Sequence, residues 1–160
     1  MTRPNAFTAE FNYEDQEPEP PGYGCAELPY GKAVGGKDLT VRLFELPPGE
    51  RLCPYHYEYV EEWLIVMVGE VKVRIPSGVE TVAAGEVMCF PAGAEGAHKV
   101  WNESQQPARI VMFSQDAIPA VAVYPDSDKV GVWGHGEDRW MLRGADSHLD
   151  YYDGEQLDAH

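Results

Sequence analysis

Apolar and polar positions between residues 39 and 114 alternate in short runs, each closed by turn residues. LTVRLFEL (39–46) ends at Pro47-Pro48-Gly49, and EWLIVMV (62–68) meets EVKVRI (70–75) at Gly69-Glu70, a tight hairpin signal. VETVA (79–83) stops at Ala84-Gly85, EVMCF (86–90) stops at Pro91-Ala92-Gly93, and HKVWN (98–102) precedes ARIVMFS (108–114). Strand signals recurring at this spacing predict an all-β sandwich or barrel. No segment sustains a 3.6-residue period, so helix is expected to be minor. The runs do not repeat one another, which argues against a propeller or solenoid. Gly69 and Gly85 read as turn glycines.

The chain of 160 residues is long enough for one domain with tails. Three parts are expected: an N-terminal arm over 1–36, a barrel over 37–123, and an acidic, aromatic-rich segment over 124–160 packing on the barrel. Charge supports that division. Lys and Arg number 12 against 27 Asp and Glu, a formal net charge of −15. Residues 1–31 hold six acids and one base, and residues 124–160 hold nine and three, so the surplus lies mainly in the flanks. EDQEPEPPGYG, rich in Pro and Glu, reads as an extended, solvated arm. In the C-terminal flank Trp133, Trp140, Tyr151 and Tyr152 are interleaved with acids, a density of aromatics that predicts packing over the core.

So anionic a surface repels phosphate backbones and acidic lipid, so neither nucleic acid nor a membrane is an expected partner. No apolar run reaches the ~18 residues of a membrane span. MTRPNAFTAEF lacks the basic head and apolar stretch of a secretory signal, and a soluble, cytoplasmic protein is expected. Cys25, Cys53 and Cys89, an odd number with no CxxC spacing, argue against a disulfide framework and a four-cysteine zinc site. Cys53 and Cys89 read as buried small apolar residues, and Tyr55, Tyr57 and Tyr59 as sheet-packing residues. His135 and His148 read as solvated. No GxSxG, P-loop or dinucleotide-binding glycine pattern is present.

Two stretches carry candidate chemistry. If 55–58 is extended, His56 and Glu58 project from one face, because strand side chains alternate with period two. A bend through Tyr59 to Glu61 could return Glu62 to that face, and His98 stands in a second stretch beyond Pro91 and Gly93. Histidines joined by carboxylates are the donor inventory of a mononuclear divalent metal site.

The spacing resembles that of the cupin superfamily. Gly49, six residues, His56, one residue, Glu58, three residues, Glu62, six residues and Gly69 follow the first cupin motif, with Glu58 where the family has a second histidine. Gly85, five residues, Pro91, one residue, Gly93, four residues, His98, three residues and Asn102 follow the second, with two extra residues before His98. The resemblance covers roughly residues 38–114, and VAVYPDSDKVGVW and DYYDGE look like the tails of small bacterial single-domain cupins. It implies a double-stranded β-helix, or jelly-roll, barrel holding one divalent ion per chain: Fe, Mn or Zn ahead of Ni or Cu.

By position, His56, Glu62 and His98 match family ligands. Glu58 is then a fourth, carboxylate ligand, or turns away from a two-histidine, one-carboxylate triad and is free as a general base. A third reading has the metal lost and the barrel kept as a binder. An extra carboxylate would harden the site and weaken the ion's Lewis acidity, favouring substrate chelation or oxygen activation over hydroxide generation. The expected function is a metalloenzyme of oxygenase, isomerase, lyase or cyclase type, acting on a small oxygenated metabolite that chelates the metal. The alternative is a non-catalytic ligand or metal binder. No substrate-binding residue is assigned. A homodimer is the assembly the resemblance implies, since exchanged strands or arms hide sheet edges.

Overall fold

The computed structural model describes residues 3–13, 20–144 and 148–154. Residues 14–19 of the Pro- and Glu-rich stretch, Glu155 of DYYDGE and His160 lie outside the described residues. Among the described residues, twelve strands and one short helix follow in chain order: β1 (Ala26–Leu28), α1 (Tyr30–Ala33), β2 (Leu39–Leu46), β3 (Tyr57–Glu58), β4 (Glu62–Val68), β5 (Glu70–Ile75), β6 (Gly78–Ala83), β7 (Val87–Phe90), β8 (Lys99–Trp101), β9 (Ala108–Gln115), β10 (Ala120–Tyr124), β11 (Lys129–Trp133) and β12 (Arg139–Arg143). Single 3-10 turns occupy Ala94–Gly96 and Pro125–Ser127. No helix among the described residues is long and apolar enough to cross a membrane.

All strand pairs are antiparallel. One sheet has the order β1-β2-β9-β4-β7. The others, β6-β5-β8 and β12-β11-β10-β3, are joined by residues 49–56 running beside 98–102. In that join Gly49 and Leu52 donate to the carbonyls of Asn102 and Val100, and Asn102 donates to that of Glu50. The result is the jelly-roll expected from the sequence. Gly69, at the β4–β5 turn, has φ +76°, and a Cβ there would lie 3.3 Å from Pro107 O and Ala108 Cα. Turn conformation and tight packing both require glycine at this position.

Alternation places Phe44, Leu46, Leu64, Val66, Val71, Val73, Val100 and Ile110 in one buried cluster between the sheets. Buried Asn102 ties the strand ends behind it, donating to the carbonyls of Leu46 and Gln106 at 2.8 Å. Arg109, on the outer face of β9, binds Glu45 and the carbonyls of Ala6 and Phe7, which draws the N-terminal residues onto the sheet. At the other end of the chain Trp140, Tyr151 and Tyr152 are exposed, whereas Trp133 lines the interior cavity.

The expectation for Cys89 is corrected. It is exposed, because period two along β7 turns Met88 and Phe90 inward and Cys89 outward.

Candidate metal centre

Registry explains how the two histidines meet. His56 and His98 form an isolated antiparallel bridge, exchanging backbone hydrogen bonds of 3.0 and 2.8 Å. Residues directly opposite in this way present neighbouring side chains, and the imidazole centroids are 4.8 Å apart. Glu62 arrives from the facing sheet, at the first residue of β4. Its Oε2 lies 3.9 Å from His56 Nε2 and 3.7 Å from His98 Nε2.

Both rings are held by carbonyls two residues before them. His56 Nδ1 lies 3.0 Å from Pro54 O, and His98 Nδ1 lies 2.9 Å from Gly96 O. A carbonyl only accepts, so each Nδ1 carries the proton and each Nε2 presents a lone pair. Phe90 stacks on His98 at 3.7 Å, and Tyr124 stacks on His56 at 5.7 Å. The lengthened stretch before His98 contains the 3-10 turn Ala94–Gly96 that supplies the Gly96 carbonyl, and a Cβ at Gly96 would drive into Pro91 O.

Burial keeps both imidazoles neutral. It pulls His98 down to about 4, helped by the neighbouring His56, and lowers His56 as well. The Glu62 contacts are accordingly not ion pairs. Two imidazole lone pairs and a carboxyl oxygen converge, and His98 Nε2 is fully buried with no hydrogen-bond partner. Burial, with the Glu58 charge adding to it, pushes the Glu62 carboxyl up to about 8. An unpartnered buried acceptor is costly, and a cation would satisfy all three atoms at once. His56, Glu62 and His98 offer donor atoms within 4.8 Å of one another, a set that could hold a metal ion.

Glu58 stands outside that cluster but lines the same cavity, from β3. Burial raises its pKa, while Arg42 opposes the shift. The cavity has a volume of about 640 Å3. Two sequence expectations change here. Tyr59, read as a sheet-packing residue, is exposed and lines the cavity. Cys53 is only partly buried; it also lines the cavity, with Sγ 3.6 Å from His56 Nδ1. Burial raises its pKa, so it stays a thiol. Arg42, Glu27, Thr40 and Ser114 also line the cavity and were not singled out in the sequence. The available signal was polar residues on the inner face of otherwise apolar strands.

Residues 42–114 match the cupin domain family Cupin_2. The chain carries a cupin domain. Solved cupin-fold structures agree with it. A protein of Acidithiobacillus ferrooxidans named as a sugar phosphate isomerase superposes with TM-score 0.74 at 24% identity, covering 81% of this chain and 82% of its own. A sugar phosphate isomerase of the cupin superfamily from Silicibacter pomeroyi gives 0.73 at 23% identity, covering 89% and 98%. The polyketide cyclase RemF of Streptomyces resistomycificus gives 0.58 at 19% identity, covering 75% and 83%. At these identities the likeness is one of fold. No curated protein matches the chain. Within the cupin domain, Glu62 and both histidines sit where the two sheets approach each other, at the polar end of the barrel interior.

Proposed function

We propose that this cupin is a metal-dependent enzyme acting on a small oxygenated metabolite, with His56, Glu62 and His98 as ligands of one divalent ion. The observation that carries the reading is the buried, unpartnered Nε2 of His98 facing the lone pairs of Glu62 and His56. A bound ion would supply Lewis-acid polarisation of a chelated carbonyl or hydroxyl group. Glu58 is assigned as the general base rather than a fourth ligand, because its carboxylate stands outside the donor cluster yet faces the same cavity. Burial raises its pKa and so makes its carboxylate a stronger base than an exposed one. Proton transfer at carbon next to a carbonyl, the isomerase type, is the reaction this pairing serves best, and the two neighbours named as sugar phosphate isomerases are consistent with it. By resemblance we also propose a homodimer, which light scattering distinguishes from a monomer.

The test is reconstitution with Fe, Mn, Zn, Ni and Cu in turn, followed by incubation with hydroxyaldehydes and hydroxyketones in deuterated water. We expect about one ion per chain, and metal-dependent exchange of a carbon-bound proton that Glu58→Gln abolishes without loss of metal. Absence of any bound ion after reconstitution would refute the metal centre. Metal and ligand binding without exchange would favour a non-catalytic binder.

A further inference from the structure

The inner face of β2 runs Thr40, Arg42, Phe44, Leu46, and its last two residues belong to the apolar core. Arg42 is therefore a charge in a file of core positions. Its cross-strand partner is Met112 on β9, which is itself opposite Leu64 on β4. Among the described residues that line the cavity it is the one Lys or Arg, facing three carboxylates, Glu27, Glu58 and Glu62.

The guanidinium is lightly used. Its Nη1 lies 3.5 Å from Glu27 Oε2, beyond the usual range of an N–H···O bond. Two other arginines, Arg109 and Arg74, are engaged more closely. Arg109 reaches Glu45 at 2.8 Å and two carbonyls at 3.0 and 2.9 Å, and Arg74 grips Asp126 at 2.6 and 3.1 Å. A guanidinium offers five donors in a planar fork matched to carboxylate and phosphate. Most of the Arg42 fork stays open to the cavity and solvent, with the side chain 48% exposed. Its positive charge also opposes the rise of both the Glu58 and Glu62 pKa values, so its field reaches the metal cluster.

We infer that Arg42 recognises a single anionic group, carboxylate or phosphate, on a substrate whose other end faces His56, Glu62 and His98. Glu27, 3.5 Å away, competes with that group for the guanidinium. The inference deepens the proposed function and rests on it. β2 and β4 flank β9 and so lie roughly 10 Å apart, a span that a metabolite of a few carbons bridges with the help of the long arginine side chain. Glu27 sits on β1, at the edge of the sheet and in register with Phe44, with its own side chain 35% exposed. It can withdraw into water.

Three probes share vicinal hydroxyls and differ in charge: glycerol, glycerate and glycerol 3-phosphate. They are titrated calorimetrically into wild type, Arg42→Gln and Glu27→Gln, each metal-loaded and again after chelation, with metal content and melting temperature recorded. In metal-loaded wild type at least one anionic probe should bind about tenfold or more tighter than glycerol, and the stronger of the two identifies the group. Arg42→Gln should erase that gap with metal content unchanged. Glu27→Gln should widen it severalfold, because the competing carboxylate is gone. After chelation the preference should persist at lower affinity. A preference that survives Arg42→Gln, or equal affinity of all three probes in wild type, overturns the inference, while one bound ion per chain would still support the metal centre. Loss of metal or of folding in Arg42→Gln would make the residue a brace and overturns it too. A wild type without metal that nevertheless shows an Arg42-dependent anion preference would refute the metal reading and leave the anion site standing.

Discussion

The inner faces of β2, β9 and β4 change character along their length. Phe44, Ile110 and Val66 form one cross-strand row, dry and buried; Thr40, Ser114 and Glu62 form another two steps away, lining the cavity. Backbone and alternation are the same in both rows. What differs is the free energy of the side chains. The dry row gains from leaving water, roughly 25 cal/mol per Å2 of apolar surface. At the polar end the Glu62 carboxyl meets two imidazoles from the facing sheet in low dielectric, where the fold shifts their pKa values toward the neutral forms. One end of the barrel holds the fold together, and the other maintains groups that a cation would stabilise.

The largest effect should come from breaking the dry end. Leu64→Ala, at a fully buried position one row from Glu62, should cost about 2–5 kcal/mol in urea unfolding. A cost under 1 kcal/mol would mean that the core row is not the stabilising half.

Glu62→Gln should act with opposite signs on metal and on stability. Metal affinity, read by competition with a chelator, should fall about a hundredfold or more, whereas the metal-free protein should become more stable at alkaline pH. In the metal-free fold Glu62 titrates near 8 against 4.5 for the free group, so the native state binds the extra proton and stability falls as pH rises between those values. His98 titrates near 4 against 6.5, so its contribution grows with pH up to 6.5. Above 6.5 the carboxyl slope is left without that opposition. The melting temperature of the chelated wild type should therefore drop between pH 6.5 and 8, by at least about 2–4 °C for each 1 kcal/mol lost. Glu62→Gln or saturating metal should flatten that drop; a slope unchanged by either would contradict the assignment.

Gly96→Ala sharpens the contrast from outside the donor set. The added Cβ meets the Pro91 carbonyl, and the displaced turn carries the carbonyl that holds His98 Nδ1–H. Metal affinity should fall about 10–100-fold although no ligand is changed; unchanged affinity would show that the turn does not orient the ring. Smallest of all, Cys89→Ser on the outward side of β7 should stay within about 0.5 kcal/mol of wild type in the same unfolding assay.

Much of the barrel was legible because amphipathic alternation is local. Runs 39–46, 62–68 and 70–75 coincide with β2, β4 and β5, and the stretch before His98 was recognisable by its spacing. β3 and the ladder over 49–56 were less so. Their ladder partners lie from 42 positions away (His56 and His98) to 66 (Tyr57 and Val123), and a two-residue strand has no period of its own. Cys89 and Tyr59 were misplaced for a related reason, since composition says how apolar a side chain is and not which side of a given edge it faces.

The sequence by itself determined the all-β class, the two motif spacings and the residue types available as donors, all properties of neighbours along the chain. Tertiary structure alone decided the rest: that His56 pairs with His98, that Glu62 meets them from the opposite sheet, and that Glu58 stays outside the donor cluster. It also decided that Arg42, 20 residues before Glu62 in the chain, shares its cavity. The physical reason is that cross-strand registry and sheet-on-sheet packing set these distances, and both depend on long-range pairing that no local pattern of hydrophobicity encodes.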